Sequence, residues 1–494
     1  MAPAIRTEQD TSKTWSQLVL HHLEEDPQAA SLVCNTATGT ITWSRAELAR
    51  GAAGAADLLD RAGARPGESV AALLSARPAS AAFLLAGALT ERPLVALGPR
   101  MTQRELLGCL ERLNGSVLVA ERESRDAAAA LAEATGRTLV HAEDLLPSDG
   151  ALTACDDPDG IAFSMLTSGT TGLPKHVPAR EAALAHRSEV NGAVMELRPG
   201  DRFVSAALFH HVAGLGNLAV SMARGATLVM LPSFSVDAWR DLEKVSPTHA
   251  ITVPSVIETL LDADALRLPS LRVLAYGGSP MHPETVRRVR DALPGVGLVQ
   301  LFGQTEGSPL TALRTLDHEA AAAGREKLLG SVGRAAPGVE LRIHAPGTDG
   351  IGEVWARSSH SFVVDADGWQ HTGDLGRLDD GYLYLSGRQG DKIICGGENV
   401  FPLEVEQVLL SHPQIREAAV VGVPDRRLGE TVKALLVATD PVSPPDPTAL
   451  HRHARERLAG FKVPTAWEFT DRLPRNASGK VQRGELTRTA VDEG

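Results

Sequence analysis

The segment Thr167-Ser168-Gly169-Thr170-Thr171-Gly172-Leu173-Pro174-Lys175 packs hydroxyls, glycines and one lysine into nine consecutive residues. Glycine lets a backbone approach an anion closely. Hydroxyls and free N–H groups can then ring phosphate oxygens, and a lysine adds a point charge. The order Gly169-x-x-Gly172-x-x-Lys175, followed by His176, is not that of a Walker A loop, which needs G-x-x-x-x-G-K-[ST]. The residues predict a phosphate loop of another type, whose task depends on the segments that accompany it.

Further segments carry chemistry. Leu301-Phe302-Gly303-Gln304-Thr305-Glu306-Gly307 joins an aromatic that can cover a base, a glycine for close approach, a hydroxyl for a phosphate and a carboxylate suited to Mg²⁺. Upstream, Gly277-Gly278-Ser279 can admit a flat ring. His371-Thr372-Gly373-Asp374 and Leu385-Ser386-Gly387-Arg388 supply a carboxylate that can accept from both hydroxyls of a ribose and an arginine that can donate to them. Near the C-terminus, Asn476-Ala477-Ser478-Gly479-Lys480 places a lysine on a glycine turn, able to swing into a cleft.

These segments need a scaffold. Apolar runs at 116–120, 161–165, 202–206, 227–231, 250–253, 272–275 and 298–301 alternate with helical patterns. Alternation of this kind predicts an α/β fold with layered, largely parallel sheets. In such sheets ligands sit beyond the carboxyl ends of the strands, and the phosphate loop follows one such run directly. Residues 44–63 read as an alanine-rich helix, with Ser44 and Glu47 as a capping box. From about Gly338 short strands and Gly/Asp turns predict a small β-barrel reaching to 388. A large N-terminal domain is therefore expected over 1–388. A small mobile α+β domain is expected over 389–494, with helices at 402–411 and 447–459, strands near 418–423, 432–438 and 466–469, and a hinge near Gly390.

Bulk properties narrow the function. A chain of 494 residues exceeds one compact core. A net charge of −12 argues against a nucleic-acid partner. Four scattered cysteines without C-x-x-C spacing fit a reducing cytoplasm, with neither a zinc site nor a disulfide framework. The first ten residues lack the apolar core of a signal peptide, and no apolar run is long enough for a membrane span. The expectation is a cytoplasmic monomer or homodimer.

In series and at this spacing, Thr167–Lys175, Phe302–Glu306, Thr372–Asp374, Gly387–Arg388 and Gly479–Lys480 resemble the motifs of the AMP-forming adenylating superfamily, which includes acyl-CoA synthetases, stand-alone adenylation domains and luciferases. The likeness spans nearly the whole chain and is greatest to acyl-CoA synthetases. It implies two steps. A carboxylate attacks the α-phosphate of ATP to give an acyl-adenylate and pyrophosphate. The C-terminal domain then rotates, and a thiol attacks to give a thioester and AMP. By this resemblance Thr167, Ser168, Gly169, Thr170, Thr171, Gly172 and Lys175 close on the β/γ-phosphates. Gly277, Gly278, Ser279, Phe302 and Gly303 surround adenine, and Asp374 and Arg388 hold ribose. Lys480, Thr305 and Mg²⁺ at Glu306 stabilise the charge that develops in the first step. Gly396, Gly397 and Asn399 match the loop that lines a pantetheine channel.

His211, with Val212-Ala213-Gly214 in register behind it, matches the histidine that borders the acyl pocket. Gly278, Gly303, Ser308 and Pro309 are the other expected walls. An amino-acid-activating relative would carry an acidic partner for the substrate ammonium, yet 208–223 holds no Asp or Glu. An unpaired cation in a closed pocket is costly. The expected substrate is therefore a carboxylic acid lacking an α-amino group. The expected thiol is CoA, with a carrier-protein phosphopantetheine as the alternative; a non-catalytic nucleotide-binding protein is the remote one. Three departures from the family pattern stand out: His176 after the loop lysine, Gly390 at the hinge position, and a short 352–373 segment.

Overall fold

The computed structural model describes residues 13–36, 39–99, 101–167, 175–396, 398–475 and 481–492. Two large sheets and one small one organise them. The six-stranded sheet runs Thr138–His141, Val117–Ala120, Val70–Leu73, Leu94–Ala96, Ile161–Thr167, Lys175–Arg180. All its pairings are parallel except the last, an antiparallel hairpin in which Thr167 pairs with Lys175. The phosphate-loop segment is bounded by that Thr167–Lys175 pair.

The thirteen-stranded sheet has a parallel centre ordered Gly297–Gln304, Val273–Gly277, His249–Thr252, Arg202–Ser205, Thr227–Met230, Ala30–Thr36. Its strands are apolar on both faces, as burial under helices on either side requires. Antiparallel strands extend both ends. Gly39–Ser44 closes one edge. On the other side Gly307–Leu313, Arg334–Ala335, Tyr382–Arg388, Gln370–Asp379, Gly352–Arg357 and Glu340–His344 continue the ladder. The strands expected as a small barrel are the last four of these. They form an antiparallel meander hydrogen-bonded to the main sheet through Arg334–Ala335.

Helices fill the space between the two large sheets. The Pro78–Leu89 helix is buried on every side. Trp15, fully buried, meets Phe163 edge-on at 5.1 Å and donates through Nε1 to the Ala219 carbonyl. Truncating such a buried aromatic costs about 3–5 kcal/mol. Helix Arg45–Arg61 starts where the sequence places it, with Ser44 and Glu47 forming the reciprocal capping box. Trp239, Tyr276, Leu274 and Val289 form a second core on the other face of the thirteen-stranded sheet.

The third sheet lies wholly in the C-terminal quarter. Ile415–Asp425, Gly429–Ala438, Ile393–Cys395 and Glu398–Val400 pair antiparallel, and Ala466–Phe469 joins Gly429–Ala438 in parallel. Helix Pro402–Leu410 packs on it over a separate apolar core. Helix Pro447–Arg455 ends before the expected Ala459, and the chain turns so that Leu458 still reaches that core. All four cysteines are buried and unbridged.

Candidate active site

The site is built along consecutive strands of the thirteen-stranded sheet. Asp374 and Arg388 face each other on neighbouring strands, and Arg388 Nε donates to Asp374 Oδ1 at 2.8 Å. Gln304 reaches the same carboxylate from another strand. Its Nε2 donates to Asp374 Oδ2 at 2.7 Å and to the Thr372 carbonyl at 2.6 Å. The Asp374 N–H donates to Thr372 Oγ1, whose own hydroxyl is spent on the Val354 carbonyl. Asp374 is 7% exposed, so its orientation is set by these partners. Each carboxylate oxygen has two acceptor sites, which leaves capacity for the two hydroxyls of a ribose. Arg388 stays exposed beside it.

Sequence reasoning had not assigned a role to Gln304. Its signal was its place between Gly303 and Thr305; its partners lie some seventy residues away. The chain runs on from it as a tight hairpin, with Gln304 paired to Gly307 and Thr305-Glu306 at the tip. A Cβ at Gly307 would collide with the Gln370 side chain. Gln370 in turn donates to Gln304 Oε1 and accepts from Ser361. The 358–362 segment straps the hairpin: Phe362 N–H donates to the Glu306 carbonyl at 2.6 Å, and His360 Nε2 contacts the Pro309 carbonyl at 3.0 Å. Glu306 is half-buried at the tip.

Gly277 ends its strand in register with Leu301, and a Cβ there would lie 2.5 Å from the Leu301 carbonyl. Gly278, Ser279 and Pro280 then leave the sheet as exposed backbone, beyond the carboxyl end of the strand. Phe302 is half-buried against the cluster of Val332, Val354 and Leu383.

His211 is the N-cap of the Val212–Ala223 helix, which leaves the carboxyl end of Arg202–Ser205. Its ring lies 4.0 Å from that of His210. His210 is turned toward Gly98, where a Cβ would sit 3.2 Å from its Cδ2. Of the expected walls, Val212, Ala213, Gly278, Gly303 and Ser308 keep accessible surface. Gly214 and Pro309 are buried instead. Gly214 is a packing position, since a Cβ there would run into the Leu208 carbonyl. A residue that sequence reasoning passed over stands nearby. Arg187, on helix Glu181–Val194, is 6% exposed and donates through Nη1 to the Thr305 carbonyl at 3.3 Å.

The C-terminal elements are placed separately. Gly396, at φ +61°, turns Ile393–Cys395 into Glu398–Val400, and Asn399 is exposed on the second strand. An isolated bridge between Arg475 and Val481 closes the segment that carries Lys480. Arg475 pairs with Glu417, and Arg483 binds both oxygens of the buried Glu406 and approaches Asp391 at 3.5 Å. Ser168, Gly169, Thr170, Thr171, Gly172, Gly397 and Lys480 lie outside the described residues.

These features fit a nucleotide with its dication. A fixed Asp374 and an adjacent Arg388 suit a ribose, strand-end glycines leave room for a flat base, and the carboxylate of Glu306 is a hard oxygen donor beside them.

Relatives agree. The model of the AMP-binding enzyme family matches residues 19–363, and that of the AMP-binding enzyme C-terminal domain matches 404–480. A feruloyl-CoA synthase of an Amycolatopsis species is 35% identical over 475 residues, 91% of this chain and 94% of that protein. The fatty acid–[acyl-carrier-protein] ligase ScoC of Streptomyces coeruleorubidus is 31% identical over 515 residues, 96% of each. The solved structure of the amide bond synthetase McbA from Marinactinospora thermotolerans superposes with a TM-score of 0.85 at 28% identity, covering 97% of this chain and 100% of that one. The chain belongs to the family of AMP-binding enzymes. It is an AMP-forming acid–thiol ligase that uses ATP and Mg²⁺ and works through an acyl-adenylate. No helix among the described residues is long and apolar enough to cross a membrane.

Proposed function

We propose that this enzyme activates a carboxylic acid lacking an α-amino group and passes it to CoA. The observation that carries the site assignment is the convergence of Gln304 and Arg388 on the Asp374 carboxylate, because it joins three motifs into a ribose-binding corner. From that corner the other roles follow. Phe302, Gly277, Gly278, Ser279 and Gly303 receive adenine. Thr167–Lys175 grips the β/γ-phosphates, and Thr305 donates to the α-phosphate. Glu306 holds Mg²⁺, which when bound neutralises phosphate charge. Lys480 supplies the positive charge that the first transition state needs. His211, Val212 and Ala213 border the reacting carboxylate.

The division of labour is between residues 1–388 and 389–494, with Gly390 as pivot. The separate apolar core of the C-terminal sheet and the open space around Gly390 support it. Gly396, Gly397 and Asn399 line the path of the pantetheine arm.

The absence of an acidic side chain in 208–223 disfavours a substrate ammonium, and the buried Arg187 guanidinium nearby adds to that. CoA is favoured by the similarity to a feruloyl-CoA synthase over nearly the full length. The similarity to a carrier-protein ligase keeps phosphopantetheine as the second reading. Pyrophosphate release across a panel of acids tests the activation step. Mass spectrometry of mixtures offering CoA, a holo carrier protein and an amine tests the acceptor. Acylation of the carrier protein or the amine in preference to CoA would overturn the CoA assignment.

A further inference from the structure

Helix Val212–Ala223 is buried from Gly214 onward, with one exception: Gly216 keeps accessible surface. Gly216 lies one turn beyond Val212 on the same face, and Val212 is also accessible. Accessible surface therefore recurs along this face from Val212 to Gly216, and the Arg187 guanidinium stands beside Gly216. Among the described residues, a Cβ on Gly216 would meet only Arg187 Nη2, at 3.9 Å, so those residues leave the space beside the guanidinium open.

The guanidinium is otherwise thinly provided for. Among the described residues it makes no ion pair within 4 Å, and its one hydrogen bond is the 3.3 Å contact to the Thr305 carbonyl. The Phe362 ring lies under it, 5.0 Å from the centroid. Burial lowers its pKa to about 10, with Glu306 pulling the other way, so it stays charged at neutral pH. The neighbouring His360 does not compete for an anion. Burial holds His360 down to about 4. A buried cation without a close counter-ion is costly unless a ligand supplies one.

We infer that Arg187 is a specificity-determining residue that receives an acidic oxygen at the far end of the acid substrate. The inference rests on the adenylating reading above and deepens it. Gly216 lies five residue steps beyond the N-cap His211, a rise of about 7.5 Å. That spacing suits an aryl ring, or a chain of similar length, with the reacting carboxylate at one end and a phenolic or second carboxylic oxygen at the other.

The test uses 3-phenylpropenoic acid and its 4-methyl, 4-hydroxy and 4-carboxy derivatives, assayed by pyrophosphate release with the full chain. The unmodified enzyme should prefer the 4-hydroxy or the 4-carboxy acid over the 4-methyl acid by at least about tenfold in kcat/KM. Which of the two leads distinguishes a phenolic from a carboxylic partner. Arg187→Met should bring that ratio to about one, and Arg187→Lys should restore part of it. Gly216→Leu, which fills the space and leaves the cation in place, should reject the 4-substituted acids and keep the unsubstituted one. Melting temperatures report whether each variant is folded. Equal use of the 4-methyl acid by the unmodified enzyme, or a uniform loss across all four acids in Arg187→Met, overturns the inference and leaves acid activation standing. Absence of acid-dependent pyrophosphate release overturns the activation reading instead. Calorimetric titration of the same four acids then decides the Arg187 preference without turnover.

Discussion

Arg388 donates to Asp374 across two strands whose register pairs the same two residues, so backbone ladder and side-chain bond enforce one geometry. Gln304 completes the hold from a third strand. Gln304→Leu removes a donor from both Asp374 and the Thr372 carbonyl, each buried, at a cost of about 1–3 kcal/mol. We expect a lower melting temperature and a KM for ATP raised about tenfold, with the KM for CoA changed far less. An unchanged KM for ATP would show that Asp374 is oriented without Gln304.

Lys480→Ala should lower adenylate formation by about a hundredfold or more, as expected for loss of a transition-state charge partner. Thioester formation from supplied acyl-adenylate should be spared. Equal loss in both half-reactions, measured separately, would contradict the assigned role.

Among the described residues, nothing lies within 4 Å of a Cβ placed on Gly390. Gly390→Ala should therefore melt like the unmodified protein and support both half-reactions. Gly390→Pro restricts the backbone at the pivot and should slow thiol transfer more than adenylation. Normal rates of both steps in the proline variant would move the pivot elsewhere.

Glu181 is buried and accepts from the backbone N–H and hydroxyl of Ser16 at the start of helix Trp15–Glu25. Burial pushes its pKa up to about 7, against the pull of those donors. A carboxyl raised in the folded state keeps its proton where the unfolded chain has lost it. Stability from this group is thus greatest at low pH and falls as pH rises toward 7, by up to about 3 kcal/mol. Glu181→Gln cannot titrate, so its melting temperature relative to the unmodified protein should climb between pH 5 and 8. A constant difference over that range would refute the assignment.

Much of this was legible in the sequence. The parallel strands declared themselves as short apolar runs bounded by turn residues, and the order of motifs identified Asp374 and Arg388 as partners. Strand Ala466–Phe469 begins and ends where the sequence places it. What escaped were relations between distant segments. Gln304 became a hub only when residues near 372 folded back onto it. Arg187 sits on a helix whose local pattern marks it as one more polar position, and only tertiary packing buries it. The strap at 358–362 has the turn-like composition of a loop, and its bonds to Glu306 and Pro309 have no local signature. The short strands and Gly/Asp turns after Gly338 fit a small barrel or a meander alike, and they do not reveal which edge of the sheet a meander joins.

The unbroken ladder of the thirteen-stranded sheet has a consequence for how such an enzyme diversifies. Gly277, the Thr305-Glu306 tip, Arg388 and Asp374 are rungs of one plate, so a change in the strands disturbs the nucleotide grip and the reacting end of the acid together. Gly216 and Arg187 belong to helices laid against that plate. Substitution at Gly216 can retune which acid is accepted while the strands stay in register, whereas Arg187 also donates to the Thr305 carbonyl and so ties the acid's site to the nucleotide tip.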